Sequence, residues 1–323
     1  MRALQQTSFN GPKDMRLVTD VPVPVPRAGE LLIRVAAAGV NFADLSRAYG
    51  TFKDGPQPPF VAGFEAAGEV VAMGESGATA ERGRLVVGVG AGAFAEYLVL
   101  PAAAALPVPS GWTASQSLGL VVNWPTALAA LKLGRLATGE TVLIHAAAGA
   151  TGQAAVRVAK HHGALVIGTA ARAKHEKVQA LGADHVLDSS SSDLAAQVLS
   201  LTGGVGADLV LECAGGVVLN ESLAAAKRVT GRVVVYGLAG GDATISNWDL
   251  VYRHQVEVVG LNLGALIQFA PRTFGEVMGE LSALVAAGVV PPADPTSYAL
   301  ANGGAALQDL ENRVTTGKLS LLC

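Results

Sequence analysis

Charged residues are scarce in this sequence, and neither sign predominates. They make up 15% of the 323 residues, against roughly 25% in a typical soluble protein, and the formal net charge is −3. No stretch gathers lysine and arginine over more than a few positions, so the basic surface that nucleic-acid binding requires is missing. Such an apolar composition predicts large buried cores and also an interface between protomers.

Cysteine and long apolar runs are scarce as well. Cys213 and Cys323 lie far apart and form no recognisable disulfide framework. No uninterrupted apolar run approaches the roughly eighteen residues of a membrane span, and the N-terminal residues lack the apolar segment of a secretory signal. These absences predict a soluble, cytoplasmic protein with no membrane partner.

The most informative segment that is present runs from Thr141 to Ala171. It reads as a buried strand, a turn of small residues, a helix and a second strand. Ala147, Gly149 and Gly152 stand where a dinucleotide-binding fold needs small residues for the turn, for the approach of a pyrophosphate and for helix packing. An ordinary strand–helix–strand crossover is the alternative. The residues predicted to line the pyrophosphate are Gly149, Ala150, Thr151 and Gly152.

The end of the second strand indicates which dinucleotide is bound. NAD-specific sites place an acidic residue here to bind the adenosine ribose, but this strand ends at Thr169–Ala171 without one. Arg172, Lys174 and Lys177 follow, and cations suit the 2′-phosphate of NADP(H). Lys174 is the preferred contact and Arg172 supports it. The alternative is a solvated first turn of the next helix.

The rest of the sequence predicts an α/β protein of two domains. Residues 1–118 contain short strands broken by glycine and proline, which indicates a mostly antiparallel, partly barrel-like domain. Its clearest strands are predicted at 31–37, 66–73, 85–89 and 94–100. Residues 119–264 alternate strands and helices, which indicates a doubly wound, parallel six-stranded sheet. Its strands are predicted at 142–146, 165–169, 185–187, 209–212, 233–236 and 256–260. Residues 265–323 are expected to return and complete the first domain, with a helix near 303–316 and a last strand at 319–322.

Four motifs, in this order and spacing, give the chain a family resemblance. They are AGVNFADLSRAYG (38–50), PFVAGFEAAGEV (59–70), NWPT followed by GETVLIHAAAGATG (123–126 and 139–152), and GRVVVYGL (231–238). With them the chain resembles the medium-chain dehydrogenase/reductase superfamily, and within it the zinc-free, ζ-crystallin-like quinone oxidoreductases. The resemblance implies a GroES-like domain joined to a Rossmann domain, NADPH as cofactor and a homodimer.

The positions that bind zinc in other members of this superfamily do not hold zinc ligands. Asn41 replaces the first cysteine, Phe64 replaces the histidine, and Val122 lies near the third ligand. All histidines lie at or after His145, so the first domain offers neither His nor Cys to a metal. We therefore predict an enzyme without a catalytic metal.

Without a Lewis acid, NADPH suits hydride transfer to an acceptor that is already electrophilic, such as a quinone or an α,β-unsaturated carbonyl. An enoyl-thioester reductase, similar to the reductase domains of polyketide synthases, is a second hypothesis. A third is an NADPH-binding scaffold with little turnover.

Three residues of the first domain are candidate catalytic residues, and the resemblance implies the first of them. Asn41 is placed near the nicotinamide and substrate, with a local turn cap as the alternative. Asp44 either takes part in the chemistry or caps the helix that starts there. Tyr49 is either an oxyanion donor or an aromatic wall. Ser46 and Phe52 replace tyrosines that are common in the family, which indicates a reshaped pocket.

The resemblance also implies residues around the nicotinamide. Asn123 and Thr126 stand at the start of the nucleotide domain, where helix capping is the alternative role for Thr126. The residues expected to flank the ring are Gly237, Leu238 and Leu261 to Leu263. A tyrosine that the family places at the adenine end is replaced by Ser189.

Overall fold

The computed structural model describes residues 1–75 and 81–323, which form two compact units. The first unit combines Met1–Val121 with Pro292–Cys323, and the second is continuous from Val122 to Pro291. The first unit is therefore built from both ends of the chain, with the second inserted between them.

Up to Val121 the first unit consists mainly of strands. They are β1 (Ala3–Gln6), β2 (Met15–Val18), β3 (Glu30–Val40), β4 (Phe60–Val61), β5 (Glu65–Met73), β6 (Leu85–Val89), β7 (Tyr97–Pro101) and β8 (Leu106–Pro107), and helix α1 (Phe42–Ala48) follows β3. The strand predicted from Phe94 starts later, because β7 begins at Tyr97. The backbone of Phe94 pairs with a different strand: its carbonyl oxygen accepts a hydrogen bond from the N–H of Leu4 in β1, at 2.8 Å.

The second unit alternates helices and strands. They are α2 (Asn123–Leu133), β9 (Thr141–Ile144), α3 (Ala150–His161), β10 (Leu165–Ala170), α4 (His175–Ala180), β11 (His185–Asp188), α5 (Leu194–Leu201), β12 (Leu209–Glu212), α6 (Gly216–Ala225), β13 (Arg232–Val235), β14 (Glu257–Gly260), α7 (Leu263–Phe269) and α8 (Pro271–Ala286), with a π-helical turn at Asp249–His254. None of the helices in residues 1–75 and 81–323 has both the length and the apolar character needed to cross a membrane.

The C-terminal part of the first unit contains β15 (Thr296–Ala299), α9 (Gly303–Glu311) and β16 (Leu319–Leu322). A helix was expected to reach residue 316, but α9 ends at Glu311 because Arg313 adopts a left-handed φ of 57°.

The main sheet of the first unit has the order β15-β16-β3-β5-β6-β8, and β7 pairs with β3. A smaller sheet has the order β2-β1-β4. β16 runs antiparallel to β3, with Leu319 opposite Val40. This register places Lys318, just before β16, beside Asn41, just after β3.

The second unit contains one parallel sheet with the order β11-β10-β9-β12-β13-β14. Its interior is apolar, with Leu143, Ile167, Val210 and Val233 almost fully buried. The strand order reverses between β9 and β12, and the carboxyl ends of strands at such a point are where ligands bind in this kind of sheet. The predicted fold class, an antiparallel domain joined to a doubly wound parallel sheet, is confirmed.

The observed units differ from the predicted domain boundaries at residues 118 and 265. The second unit begins at Val122 and extends to Pro291, because α7 and α8 stay with the nucleotide-type sheet. Glu276 and Glu280 of α8 form ion pairs with Lys132 (3.0 Å) and His162 (3.1 Å) of the same unit.

Candidate cofactor and substrate sites

A tight turn joins β9 to α3 at the carboxyl end of the central strand. Ala146 adopts a positive φ of 49°, and Gly149 is the residue that caps α3. A Cβ on Gly152 would lie 2.3 Å from the Ala146 carbonyl oxygen, so only glycine allows this close approach of helix and turn. Gly149 has no side chain to cap α3, and the first N–H groups of the helix are therefore suited to a phosphate.

Asn123 and Thr126 lie in the first turn of α2. Asn123 Nδ2 donates to Thr151 Oγ1 at 3.1 Å and so links α2 to the first turn of α3. Thr126 Oγ1 donates to the carbonyl oxygen of Val122 at 2.6 Å. Asn123 thus positions Thr151, while the nicotinamide contact implied for Thr126 stays a prediction.

A cavity of about 450 Å³ lies beside the ends of β10 and β11. Its lining residues are Arg172, His175, Val186, Leu187, Asp188, Ser190, Ser191 and Gln197. Arg172 is well exposed, and its Nε lies 3.6 Å from Asp188 Oδ2. The predicted phosphate contact Arg172 therefore belongs to a polar cavity, but it has an acidic neighbour.

Asp188 was not among the predicted residues. It ends β11 directly opposite Ala170, the last residue of β10, so an acidic side chain lies at this edge of the sheet although β10 itself ends without one. Hydrogen bonds from Ser190 N–H (3.0 Å) and Oγ (2.8 Å), and also the charge of Arg172, lower the pKa of Asp188. The only sequence signal for it was an acidic residue just after a predicted strand.

The residues expected to flank the nicotinamide have different environments. A Cβ on Gly237 would lie 2.7 Å from the Cys213 carbonyl oxygen, so the turn after β13 packs tightly on the end of β12. Leu238 is exposed, Leu261 is buried and Leu263 is half-buried at the start of α7. Their contact with a nicotinamide ring stays a prediction.

Two further groups lie at the end of β12. Glu212 is buried, and its Oε1 accepts hydrogen bonds from the N–H groups of Ala214 (2.7 Å) and Gly215 (2.8 Å), which closes the turn after the strand. Burial raises the pKa of Glu212. Burial also raises the pKa of the Cys213 thiol to about 12, so this thiol stays protonated.

His145 connects three elements of the second unit. Its Nδ1 lies 3.3 Å from Thr169 Oγ1 on β10, and its Nε2 lies 2.9 Å from Ser222 Oγ on α6. Burial lowers the pKa of His145 to about 4, so the imidazole is neutral. The side chain thus has a structural role, because it links the end of β9 to β10 and α6.

A buried polar cluster lies in the first unit, and we call Asn41, Glu65 and Lys318 the Glu65 cluster. Lys318 Nζ donates to Glu65 Oε2 at 2.6 Å and to Asn41 Oδ1 at 2.8 Å. Asn41 Nδ2 donates to Glu65 Oε2 at 2.8 Å, and Gly119 N–H donates to Glu65 Oε1 at 2.5 Å. The Asn41 amide is therefore held at both its oxygen and its nitrogen.

Asp44 adjoins this cluster from the first turn of α1. Its Oδ2 accepts a hydrogen bond from Asn41 N–H at 2.9 Å, which is the capping role considered for it. Its Oδ1 is buried and has no hydrogen-bond partner in the described chain. Burial raises the pKa of Asp44 to about 7, against the weaker opposing effects of the Asn41 hydrogen bond and the Arg47 charge.

Tyr49 directly follows α1, and its hydroxyl group bonds to neither Asn41 nor Asp44. Its hydroxyl donates to Glu311 Oε1 on α9 at 2.7 Å, and this hydrogen bond raises the pKa of Tyr49. The structure therefore brings two of the three predicted catalytic residues together and gives the third a different partner. The oxyanion role implied for Tyr49 stays a prediction.

The residues around Glu65 do not fit a zinc ion. Asn41 and Phe64 supply no zinc ligand, and the cation beside Glu65 is the ammonium group of Lys318. Across residues 1–75 and 81–323, no group of three or more His, Cys, Asp or Glu side chains is arranged to hold a metal.

Two family models match the chain. Residues 27–110 match the alcohol dehydrogenase GroES-like domain, and residues 150–283 match the zinc-binding dehydrogenase domain. The two matches fall on the two structural units.

Several curated proteins are similar in sequence. Prostaglandin reductase-3 of Bos taurus is 39% identical over 228 residues, which are 70% of this chain but 59% of that protein's length. The quinone oxidoreductase-like protein 2 homolog of Nematostella vectensis is 32% identical over 310 residues, 94% of this chain and 85% of that protein. The mycocerosic acid synthase-like polyketide synthase of Mycobacterium tuberculosis is 32% identical over 92% of this chain, which matches 14% of that protein.

Solved structures are similar over the whole chain. A mycobacterial protein in complex with NADPH has a TM-score of 0.92 and 32% identity, and 100% of both chains is covered. The Escherichia coli quinone oxidoreductase in complex with NADPH has a TM-score of 0.89 and 27% identity, again with 100% of both chains covered.

Proposed function

Because the chain belongs to the zinc-free quinone oxidoreductase branch of the medium-chain dehydrogenase/reductase superfamily, we propose that it reduces a quinone or another α,β-unsaturated carbonyl compound. The observation that carries this proposal is the uncapped start of α3 after the Gly149–Gly152 turn. A polar cavity lined by Arg172 at the ends of β10 and β11 of the same sheet supports it. A turn and a cavity of this kind suit a phosphorylated dinucleotide.

NADPH is the cofactor, and it supplies a hydride when bound. We assign its pyrophosphate to the N–H groups at the start of α3, with Asn123 holding Thr151 in place. We assign its 2′-phosphate to Arg172 and Lys174. Thr126, Gly237, Leu238, Leu261 and Leu263 remain the proposed nicotinamide neighbours.

The substrate must accept the hydride without help from a metal of the kind that the zinc enzymes use, because Asn41 and Phe64 stand at the ligand positions. Quinones and carbonyl-conjugated alkenes meet this condition, since their own carbonyl group takes up the negative charge. A quinone leaves as a hydroquinone that can take its proton from water. An enone needs a proton at carbon, so a positioned acid matters more for it.

Asp44 is the proposed acid. Its Oδ2 accepts the Asn41 N–H, so the proton of the neutral carboxyl resides on Oδ1, which has no partner in the described chain. A pKa of about 7 leaves this group roughly half protonated at neutral pH, and it can therefore both release and regain a proton. The Glu65 cluster fixes Asn41 and through it the orientation of Asp44.

An enoyl-thioester reductase is the second candidate, and the polyketide synthase similarity over 92% of the chain favours it. The chemistry is the same hydride and proton addition to a conjugated alkene. The difference lies in the acceptor, which is a thioester instead of a ketone or quinone.

The test is NADPH consumption by the purified protein, with NADH in parallel, against quinones, enones and a crotonyl thioester. Turnover of quinones or enones with NADPH preferred is the expected result. Turnover of the thioester alone would move the protein to the enoyl reductases. NADPH binding without turnover of any acceptor would contradict the proposal and favour a scaffold. Asp44→Asn should slow enones more than quinones, because water can protonate the hydroquinone.

We also propose a homodimer, because the composition leaves little polar surface. Light scattering after size exclusion tests this directly, and the mass of a single chain would contradict it.

A further inference from the structure

The side chain of Arg47 lies between two aromatic rings. Its Cζ stands over the ring of Phe52 at 4.8 Å from the centroid and over the ring of Phe64 at 4.6 Å. Phe52 comes from the loop after α1, and Phe64 directly precedes β5. The rings attract the cation, but they offer no acceptor for its N–H groups.

In the part of the chain that the structure describes, Arg47 forms no ion pair with an acidic side chain, and Asp44 interacts with it only through its charge. Within residues 1–75 and 81–323 its guanidinium forms no hydrogen bond or ion pair, and its Nε is buried without an acceptor. Other arginines of the chain are paired, such as Arg34 with Glu69 at 2.5 Å and Arg232 with Glu140 at 2.7 Å. An unpaired and partly buried donor group is unfavourable, and it calls for a ligand or a water as partner.

The charges around Arg47 leave its positive charge largely unbalanced. Lys318 neutralises Glu65 by direct contact. Asp44 lies one helical turn before Arg47, but its raised pKa of about 7 leaves it partly neutral at physiological pH. An incoming anion is therefore attracted to Arg47, and the rings of Phe52 and Phe64 provide apolar surface for the carbon atoms attached to it.

We propose that Arg47 binds a carboxylate group of the substrate, so that the preferred acceptors are quinones or enones that carry an acid. This inference rests on the proposed reductase function. A guanidinium matches a planar carboxylate with two parallel hydrogen bonds, and one cation balances its single charge. A phosphate, with its larger charge, is the less suitable ligand for a single arginine.

The test compares pairs of acceptors that differ only at the acid, such as an enone carboxylic acid and its methyl ester. The wild type should show a kcat/KM roughly tenfold or more higher for the acid, as expected for a hydrogen-bonded ion pair. In Arg47→Met this ratio should fall to about one, through a higher KM for the acid. Arg47→Lys keeps the charge but loses the planar fork, so it should retain part of the preference.

Arg34→Met is the matched control, because it removes an arginine of the same unit that already has an acidic partner. It should keep the wild-type ratio. Turnover of the methyl ester, which should be close to that of the wild type, checks that the unit that contains Arg47 is folded in the variants.

The outcomes separate this inference from the proposed function. If the wild type reduces neither acid nor ester, the proposed function fails. If it reduces both equally, or if Arg47→Met keeps the acid preference, the Arg47 assignment fails while the reductase stands. A preference for crotonyl-CoA over a short neutral crotonyl thioester that Arg47→Met abolishes would overturn the carboxylate in favour of a phosphate.

Discussion

Lys318 Nζ lies 2.6 Å from Glu65 Oε2, and the two side chains are 5% and 0% exposed. They are 253 positions apart in the sequence. Their contact depends on the pairing of β16 with β3, and it also fixes Asn41 through the hydrogen bond from Lys318. A buried ion pair of this kind is sensitive to the loss of either partner.

Lys318→Met should destabilise the protein by about 3–5 kcal/mol, because it leaves the Glu65 carboxylate buried without its counterion. Chemical denaturation followed by circular dichroism measures this change. Adding Glu65→Gln removes the buried carboxylate that has lost its counterion, so the double variant should regain much of the lost stability. A double variant as unstable as the single one would assign the loss to packing instead.

Because of Asp44, the free energy of unfolding should decrease as the pH rises from about 4 to about 7. In this range the folded protein keeps a proton on Asp44, whose pKa is about 7, while an unfolded chain with a pKa near 3.8 releases it. The folded state binds more protons, so raising the pH favours unfolding, and the effect ends above about pH 7.

Asp44→Asn stays neutral, so its stability relative to the wild type should improve between about pH 4 and pH 8, by an amount on the order of a few kcal/mol. Thermal melts across this range measure the difference. Asp20→Asn changes an exposed aspartate and should follow the wild type. A difference that does not vary with pH would contradict the raised pKa.

His145 should have the opposite effect to Asp44, because it should make the protein more stable as the pH rises. Its pKa of about 4 in the folded protein lies below the ordinary value of 6.5, so the unfolded chain binds more protons between these values. The stability that the neutral imidazole provides is full above about pH 6.5 and is lost as the pH falls towards 4. His145→Gln should therefore lose less stability than the wild type between about pH 7 and pH 5 in thermal melts. An equal loss in both proteins would contradict this assignment.

Gly152→Ala should weaken folding and NADPH binding. The new Cβ would meet the Ala146 carbonyl oxygen at 2.3 Å, and backbone cannot move aside without distorting the turn. We expect a loss of about 1–3 kcal/mol or more in stability, measured by thermal melting, and a weaker NADPH titration. In Gly149→Ala the nearest atom is 3.3 Å away, so the melting temperature should change much less. Equal effects of the two substitutions would contradict the close packing at Gly152.

Arg172→Ala should raise the Kd of NADPH several-fold and leave that of NADH nearly unchanged, because a charge-assisted hydrogen bond to the 2′-phosphate is lost. Asp188→Asn should lower the Kd of NADPH, since the carboxylate 3.6 Å from Arg172 Nε competes with the phosphate and repels it. Fluorescence titration measures both values.

Asp193→Asn is the control for Asp188, because Asp193 instead accepts a hydrogen bond from Gln197 at 2.7 Å. If Asp188→Asn and Asp193→Asn change NADPH affinity alike, Asp188 has no specific role. If Arg172→Ala affects NADH as much as NADPH, the 2′-phosphate assignment is wrong.

Most of the fold could be predicted from the sequence, because its signals are local. Each strand of the parallel sheet is a short apolar run, and β6 and β16 have the predicted bounds. Element ends were less accurate where a single residue decides them. The left-handed backbone at Arg313 ends α9 before the predicted residue. Arginine has no preference for this conformation, so the sequence does not predict it.

The candidate sites could be predicted only where neighbours in sequence are also neighbours in space. Asn41 and Asp44 belong to one motif and lie together in the structure. Lys318 and Asp188 were missed because each reaches its site through strand pairing, and the register of strands that are distant in sequence cannot be read from one sequence. The hydrogen bond of Tyr49 to Glu311 on α9 was also missed, because the two residues are far apart in the sequence.

The pairing of β16 with β3 also sets an order of events on the ribosome. The second unit is continuous from Val122 to Pro291, so it can begin to fold as soon as that stretch has emerged. The first unit cannot complete its folding at that stage, because Glu65 has no counterion until Lys318 has been synthesised. During that interval the exposed edge of β3 is open to pairing with other chains, which makes the nascent protein more vulnerable to aggregation than the finished one.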